Sequence, residues 1–404
     1  MSDQLTMLDE SLDADELVVC ARTLVRAASE NPPGDERAVA VAVRPWLDDL
    51  GCRVHAVEPA PGRVSLVGVC DSLRPGRTLA VNGHLDVVPA GPPDQWEHPP
   101  YDAVVAGGVL HGRGSLDMKG PIAAALCAAR VLVDSDLPWT GRLVFQLVAD
   151  EEVIGAHGSR ALLAAGLLEA DGALVAEPTG MRLATAERGA SWYVLRTLGR
   201  AAHGSRPGDG VSAIAAMARL VPAILGQSWD RSHPLLGGPT VNVGTIRGGD
   251  KVNMVPAWCE VEVDRRTVPG ETAEQVAAEF QAIFDRQTAE DPSFRAELGG
   301  QGFGPASEVD PDAAVVGAAA GALADVGLPD QPVGFSGATD ARILNLEAGV
   351  PAVVLGPGDL ALAHSTAERV AVADLVTAAR VYARLYARFL CPDLAQGAHI
   401  RQSV

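Results

Sequence analysis

Residues 79–86 read Leu79-Ala80-Val81-Asn82-Gly83-His84-Leu85-Asp86, an apolar run that breaks into a polar turn carrying an imidazole and a carboxylate. The same pattern recurs along the chain. Leu143–Ala149 runs into Asp150-Glu151-Glu152, and Ala173–Ala176 runs into Glu177-Pro178-Thr179. Ala352–Leu355 leads to a Gly/Pro-rich loop that holds His364. Short apolar runs bounded by turn residues read as buried strands. Segments with helical apolar spacing lie between and around them: Asp15–Ala28, Pro121–Val133 with Pro at its favoured first position, Ala161–Glu169 and Val370–Phe389. The Asn31-Pro32-Pro33-Gly34 stretch stops the first helix, and Val64–Val69 reads as another strand. Strands alternating with helices predict an α/β fold with a mostly parallel sheet covered on both faces.

The middle of the chain reads differently. Ala190–Leu198, Thr240–Ile246 and Trp258–Asp264 alternate like half-exposed strands, with helices over Val211–Leu225 and Thr272–Arg286. Strands without crossover helices between them predict a smaller α+β unit with an antiparallel sheet. The expected organisation is a main domain over 1–186 and 301–404, with an inserted lid or dimerisation domain over 187–300.

At 404 residues the chain exceeds what one core usually serves, which agrees with two domains. Aromatics make up only 4% of it, so the core must be built from Ala, Val, Leu and Ile. A formal charge of −19 argues against nucleic-acid partners and against anionic membrane surfaces. No apolar run is long enough to span a bilayer. The acidic stretch Met1–Leu17 lacks the pattern of a secretory signal. Cys20, Cys52, Cys70, Cys127, Cys259 and Cys391 are scattered, without a Cys-x-x-Cys pair, and read as mostly reduced, several of them in the core. A cytoplasmic enzyme is the expectation.

In an open α/β sheet, ligands bind outside the carboxyl ends of the strands. Here His84, Asp86, Asp150, Glu151, Glu152, Glu177 and His364 all follow apolar runs, and Asp117 sits in the loop Gly112–Gly120 just before a helix. So many carboxylates cannot share a small site as bare anions, because each raises the pKa of the others. One divalent cation or a pair of them resolves the conflict, and a mixed His/carboxylate donor set suits zinc, cobalt or manganese. The glycines of the Asp117 loop do not form a dinucleotide fingerprint, since Asp117 stands at the third glycine position. There is neither a Gly-x-Ser-x-Gly elbow nor a His-Glu-x-x-His helix.

Longer motifs add a resemblance. The stretches NGHLDVVPAG (82–91), WEHPPYDAVVAGGVLHGRGSLDMKG (96–120), VADEEVIGAHGS (148–159), VAEPTG (175–180), GRAAHGSRPGDGVSAI (199–214), NMVPAWCEVEVDRRTVPG (253–270), SGATDAR (336–342) and AHSTAERV (363–370) resemble the M20 metallopeptidases. That group includes acetylornithine deacetylase, succinyl-diaminopimelate desuccinylase, aminoacylase and carboxypeptidase G. The resemblance covers about residues 15–390. It implies hydrolysis of the amide bond of an N-acyl amino acid by a metal-bridging hydroxide, with two divalent ions, most simply zinc. A carboxypeptidase or dipeptidase acting on short peptides would use the same machinery, and a non-catalytic metal-binding protein on this fold is the remaining alternative.

The resemblance also assigns roles. His84 and Glu177 would hold one ion, Glu152 and His364 the other, and Asp117 would bridge them, with a cis peptide after it. Asp86 would be the outer carboxylate that orients His84. Glu151 would be the general base. His203 would stabilise the oxyanion from the partner subunit, so a homodimer through the inserted domain is implied. Asn253 and Arg266 match substrate-contacting positions. Arg266 could equally pair with Glu260, Glu262 or Asp264, and strand alternation sends its neighbour Arg265 to the other face. Ser336, Gly337 and Thr339 match a loop that binds a substrate carboxylate, in which Ala338 stands where many relatives have a second glycine. His55, His98, His111, His157, His233 and His399 have no assigned role, although His157 is expected in the helix after the glutamate pair.

Overall fold

The computed structural model describes residues 8–153 and 155–391. His399 and the first residues of the stretch read for a secretory signal lie outside them. The chain divides into two compact units, one made of residues 1–185, 309–335 and 339–404, the other of residues 186–308 and 336–338.

In the first unit the chain runs through α1 (Ala14–Arg26), α2 (Arg37–Asp49), β1 (Arg53–Val57), β2 (Ser65–Asp71), β3 (Thr78–His84), β4 (Val104–Ala106), β5 (Val109–His111), α3 (Lys119–Val133), β6 (Arg142–Val148), α4 (Ser159–Ala164), β7 (Gly172–Val175) and β8 (Ala184–Glu187). Asp13 starts α1 by accepting hydrogen bonds from the backbone N–H groups of Asp15 and Glu16, which satisfies two of the helix's orphan donors. α3 begins two residues earlier than its sequence suggests. Pro121 is therefore its third residue, still within the first turn, where a missing N–H costs nothing. Its alanines, Ala123, Ala124, Ala125, Ala128 and Ala129, are buried in the main core cluster with residues of the last helix. α4 is shorter than expected.

The second unit carries β9 (Gly189–Leu198), α5 (Ala213–Leu225), β10 (Thr240–Gly248), β11 (Trp258–Thr267), α6 (Ala273–Glu290), β12 (Ala296–Phe303) and β13 (Ser307–Glu308). Its sheet is antiparallel, in the order β10-β11-β9-β12. Alternate residues of β9 and β11, among them Tyr193, Leu195, Val261 and Val263, join α5 and α6 in one apolar core, as period-2 patterning requires. Each such fully buried side chain contributes about 1.5–3 kcal/mol. Thr272 and Gln275 close a capping box at the start of α6.

The chain then completes the first unit with α7 (Ala314–Asp325), β14 (Val333–Phe335), β15 (Ala352–Val354), β16 (Arg369–Ala371) and α8 (Val372–Leu390). The large sheet runs β1-β2-β6-β3-β7-β15-β8. It is mixed, not mostly parallel. β6, β3, β7 and β15 are parallel, whereas β1, β2 and β8 join antiparallel. The parallel strands need long crossovers, which α3 and its neighbours provide, while β1 and β2 are joined by a short connection that permits only antiparallel pairing. A small antiparallel sheet, β16-β5-β4, lies apart.

The cysteines are mostly reduced and in the core, as expected, with one pair as the exception. Cys20, Cys127, Cys259 and Cys391 are free and buried, but Cys52 and Cys70 form a disulfide. The β1–β2 register pairs Arg53 with Val69, which sets Cys52 opposite Cys70. A spacing of 18 residues gave no sign of this pairing.

Candidate active site

The parallel register aligns three polar turns. His84 pairs with Val148 in the β3–β6 ladder, and Asn82 with Val175 in the β3–β7 ladder. His84, the Asp150–Glu152 turn and Glu177 thereby leave adjacent strand ends together. Asp117 reaches them from the loop just before α3, with a cis Asp117–Met118 peptide after it, and His364 from the loop before β16.

Asp117 lies between the two imidazoles. Its Oδ1 is 2.9 Å from His84 Nε2 and its Oδ2 is 3.3 Å from His364 Nε2. His364 Nε2 is also 3.0 Å from Glu152 Oε2, and His84 Nε2 is 3.6 Å from Glu177 Oε1. Among the described residues, two overlapping sets could hold a metal ion: His84, Glu151 and Glu177, and His84, Asp117 and Glu152. Glu151 approaches the buried Arg342 guanidinium at 3.7 Å.

Electrostatics explains why this donor set fits cations. Burial pushes the carboxyl groups of Glu151, Glu152 and Glu177 above their usual range, and neighbouring carboxylates add to the effect. Burial opposes charge on His84, but Asp117, Glu177 and Glu152 outweigh it and raise its pKa well above normal. Hydrogen bonds to Asp117 and Glu152 raise His364 to about 10. Burial alone would raise Asp117, yet hydrogen bonds from His364 and His84 hold it below the usual carboxylate range. Protons on the imidazoles thus supply positive charge where a divalent ion would supply more. The donors here are nitrogen and oxygen, which suit borderline and hard divalent ions.

Several supporting residues carried no sequence signal. Asp86 does not act on His84 through its carboxylate. His84 Nδ1 lies 2.8 Å from the Asp86 backbone carbonyl, with the carboxylate farther away at 3.7 Å. That carboxylate accepts instead from the backbone N–H groups of Glu151 and Glu152 at 3.2 Å each, and from Asn31 Nδ2 at 2.8 Å. The Asn-Pro-Pro stretch is therefore more than a helix stop. Asp150, at φ 67°, accepts from Arg63 at 2.5 Å, from Asn31 at 3.3 Å, and from His157 Nδ1 at 2.9 Å. His157 lies before α4 and caps this network instead of packing in a helix. Lys119 is fully buried, donates to the Ala27 carbonyl at 2.7 Å, and is pulled down to about 7 by burial against the pull of Glu368, Asp86 and Glu36.

Of the remaining predicted residues, all but Thr339 belong to the second unit. His203 and Asn253 are exposed on neighbouring loops of the second unit, where Gly204 N–H donates to the Asn253 carbonyl at 2.8 Å. A Cβ on Gly204 would sit 2.8 Å from that oxygen, so the approach requires glycine. His203 Nδ1 meets Ser205 Oγ at 2.8 Å. Arg266 forms an ion pair with Asp264 at 2.9 Å, the local partner its sequence allowed. Arg265 points to the buried face, against Glu271, Glu279 and the Trp229 ring. Ser336 and Gly337 belong to the segment that groups with the second unit. Thr339 is buried in the first, where its carbonyl accepts from Arg342 at 2.6 Å. Ala338 has no positive φ, so alanine replaces a glycine there without strain.

These features define a metallohydrolase fold and site. Residues 80–388 match the model of peptidase family M20/M25/M40, and the chain belongs to that family of metal-dependent amidohydrolases. Acetylornithine deacetylase of Myxococcus xanthus is 34% identical over 362 residues, covering 85% of this chain and 86% of that protein. N-formyl-4-amino-5-aminomethyl-2-methylpyrimidine deformylase of Bacillus subtilis is 29% identical, covering 93% and 95%. An M20 family metallo-carboxypeptidase from Sulfolobus solfataricus shares the fold with a TM-score of 0.79 at 18% identity, over 94% of this chain and all of that one. Among the described residues, no helix is long and apolar enough to cross a membrane.

Proposed function

We propose that this enzyme binds two divalent ions, zinc with cobalt or manganese as substitutes, and hydrolyses the amide bond of an N-acyl amino acid. The observation that carries the reading is the Asp117 carboxylate, one oxygen toward His84 and the other toward His364. His84 and Glu177 would hold one ion, Glu152 and His364 the other, with Asp117 shared. Bound there, the ions would polarise the amide carbonyl and acidify water.

Glu151 does the proton work in this reading. It is turned toward the same cluster by a peptide N–H fixed on Asp86, and its own carboxyl is raised by burial. A carboxyl whose pKa is raised toward the working pH is better matched to both taking a proton from water and passing it to the departing amine. His203 would supply the oxyanion donor from the partner of a homodimer. The second unit offers an unpaired edge strand for such an interface, β10, where Ile246 is 59% exposed. Asn253, Arg266, Ser336, Gly337 and Thr339 would contact substrate. We place the enzyme in the cytoplasm, in keeping with its four free buried cysteines.

The test uses metal-stripped protein reloaded with zinc, cobalt or manganese and given N-acetyl, N-succinyl and N-formyl amino acids beside dipeptides. Metal-dependent turnover of an acylated amino acid is the expected result. Turnover of dipeptides alone would replace the deacylase reading with a peptidase one, and absence of metal uptake would end both.

A further inference from the structure

Glu368 was not singled out by its sequence, yet it is a heavily engaged buried carboxylate near the cluster. Its Oε1 accepts backbone N–H bonds from Gly114 at 2.8 Å, Leu116 at 3.1 Å and Asp117 at 3.2 Å. Its other oxygen takes the Arg113 guanidinium. Its backbone carbonyl accepts from Gly112 N–H at 3.2 Å, which continues the β5–β16 ladder that begins with His111 opposite Arg369. The loop 112–117 therefore wraps around this one side chain, which is itself fully buried.

This arrangement matters because the cluster's imidazoles are held in unequal ways. His84 ends a strand whose register is set by two ladders. His364 sits on a loop with φ 59° and its side chain 54% exposed. On the amino-terminal side that loop is tied to residues 179–181, with Gly180 N–H donating to the Gly358 carbonyl at 2.8 Å, and nearer His364 it is held by local turns, such as Ser365 Oγ to the Leu362 carbonyl at 2.8 Å. On the other side, four residues on, comes Glu368. The same carboxylate thus fixes Asp117 through its peptide N–H and His364 through the chain.

We propose that Glu368 is a positioning residue that sets the affinity of the second ion, the one assigned to Glu152 and His364, by locking the Asp117 and His364 loops together. The inference rests on the two-ion reading above. Ligands fixed in advance lose less freedom on binding, and groups that orient ligands typically alter metal affinity about 10–100-fold. The His84 and Glu177 ion keeps two ligands on strand ends that Glu368 does not touch, so it should be far less affected.

The experiment is equilibrium dialysis of metal-stripped protein against Co²⁺, with circular dichroism as the control for folding. The wild type should take up two ions. Glu368→Ala should weaken the second about 10–100-fold and leave the first within about threefold. Glu368→Gln retains a carbonyl for the three N–H groups but sets an amide against Arg113, so it should fall between, and it decides the matter by the same criterion if the alanine variant does not fold. Two ions bound at wild-type affinity, or equal weakening of both, would overturn the role of Glu368. A wild type that takes up one ion or none would instead overturn the two-ion reading.

Discussion

The polar residues of the two units are held in contrasting ways. In the first unit His84, Asp117, Glu151, Glu152 and Glu177 sit at strand ends or beside them; Glu368 holds the peptide N–H of Asp117, and Asp86, itself held by Asn31, holds those of Glu151 and Glu152. In the second unit His203 and Asn253 lie exposed on loops, and Arg266 is spent on a neighbouring aspartate. Buried charge must be satisfied in place, so the first group is legible from its surroundings. Exposed groups are satisfied by water, and their surroundings do not disclose a task.

The sharpest way to test this contrast is Glu151→Gln. If the buried cluster is the catalytic one, turnover should fall about 10²–10⁴-fold, while metal content, measured on the same preparation, stays at the wild-type level. Retained turnover would break the comparison outright.

His203→Ala should cost about 10²–10³-fold in kcat, the effect of losing one oxyanion donor, again with metal content unchanged. Mixing it with Glu151→Gln under conditions that exchange subunits should restore part of the activity if His203 acts across a dimer. No recovery in verified mixed dimers would confine His203 to its own subunit.

The adjacent arginines of β11 give the smallest and most local comparison. Arg265→Met leaves Glu271 and Glu279 with only the more exposed Arg231 as a partner, and breaking a buried pair costs up to about 3–5 kcal/mol, visible as a lowered midpoint in urea unfolding. Arg266→Met removes a partly exposed pair with Asp264 and should change stability by less than about 1 kcal/mol. If Arg266 also receives a substrate carboxylate, its loss should raise KM with kcat little changed. An unchanged KM would leave Arg266 with only its salt bridge.

Much of the fold was readable because burial leaves periodic traces. The apolar runs before His84, Asp150 and Glu177 are strands, and the alternation in β9 and β11 separates Arg265 from Arg266. The direction of the outer strands was not readable. β2 and β8 run against the parallel core, and short apolar runs do not encode which way a strand enters a sheet. Nor was the Cys52–Cys70 pair, which depends on hairpin register. Within the site, the charged residues at strand ends stood out, whereas Asn31, Arg63 and Glu368 looked like ordinary loop or turn residues. Their partners are remote in sequence: Asn31–Asp86 at 55 positions, Arg63–Asp150 at 87 and Arg113–Glu368 at 255.

By itself the amino-acid order settled which segments could be buried strands and helices, and that an excess of carboxylates would gather where those strands end. Local periodicity and charge are properties of neighbours along the chain, so they can be read there. Which oxygen faces which nitrogen came only from the folded chain. Asp86 turned out to meet the imidazole through its backbone carbonyl and to hold the glutamate turn with its carboxylate, and Glu368 to bind the loop that presents Asp117. Those assignments depend on distances between remote segments, and only the packed sheet and its crossing helices fix them.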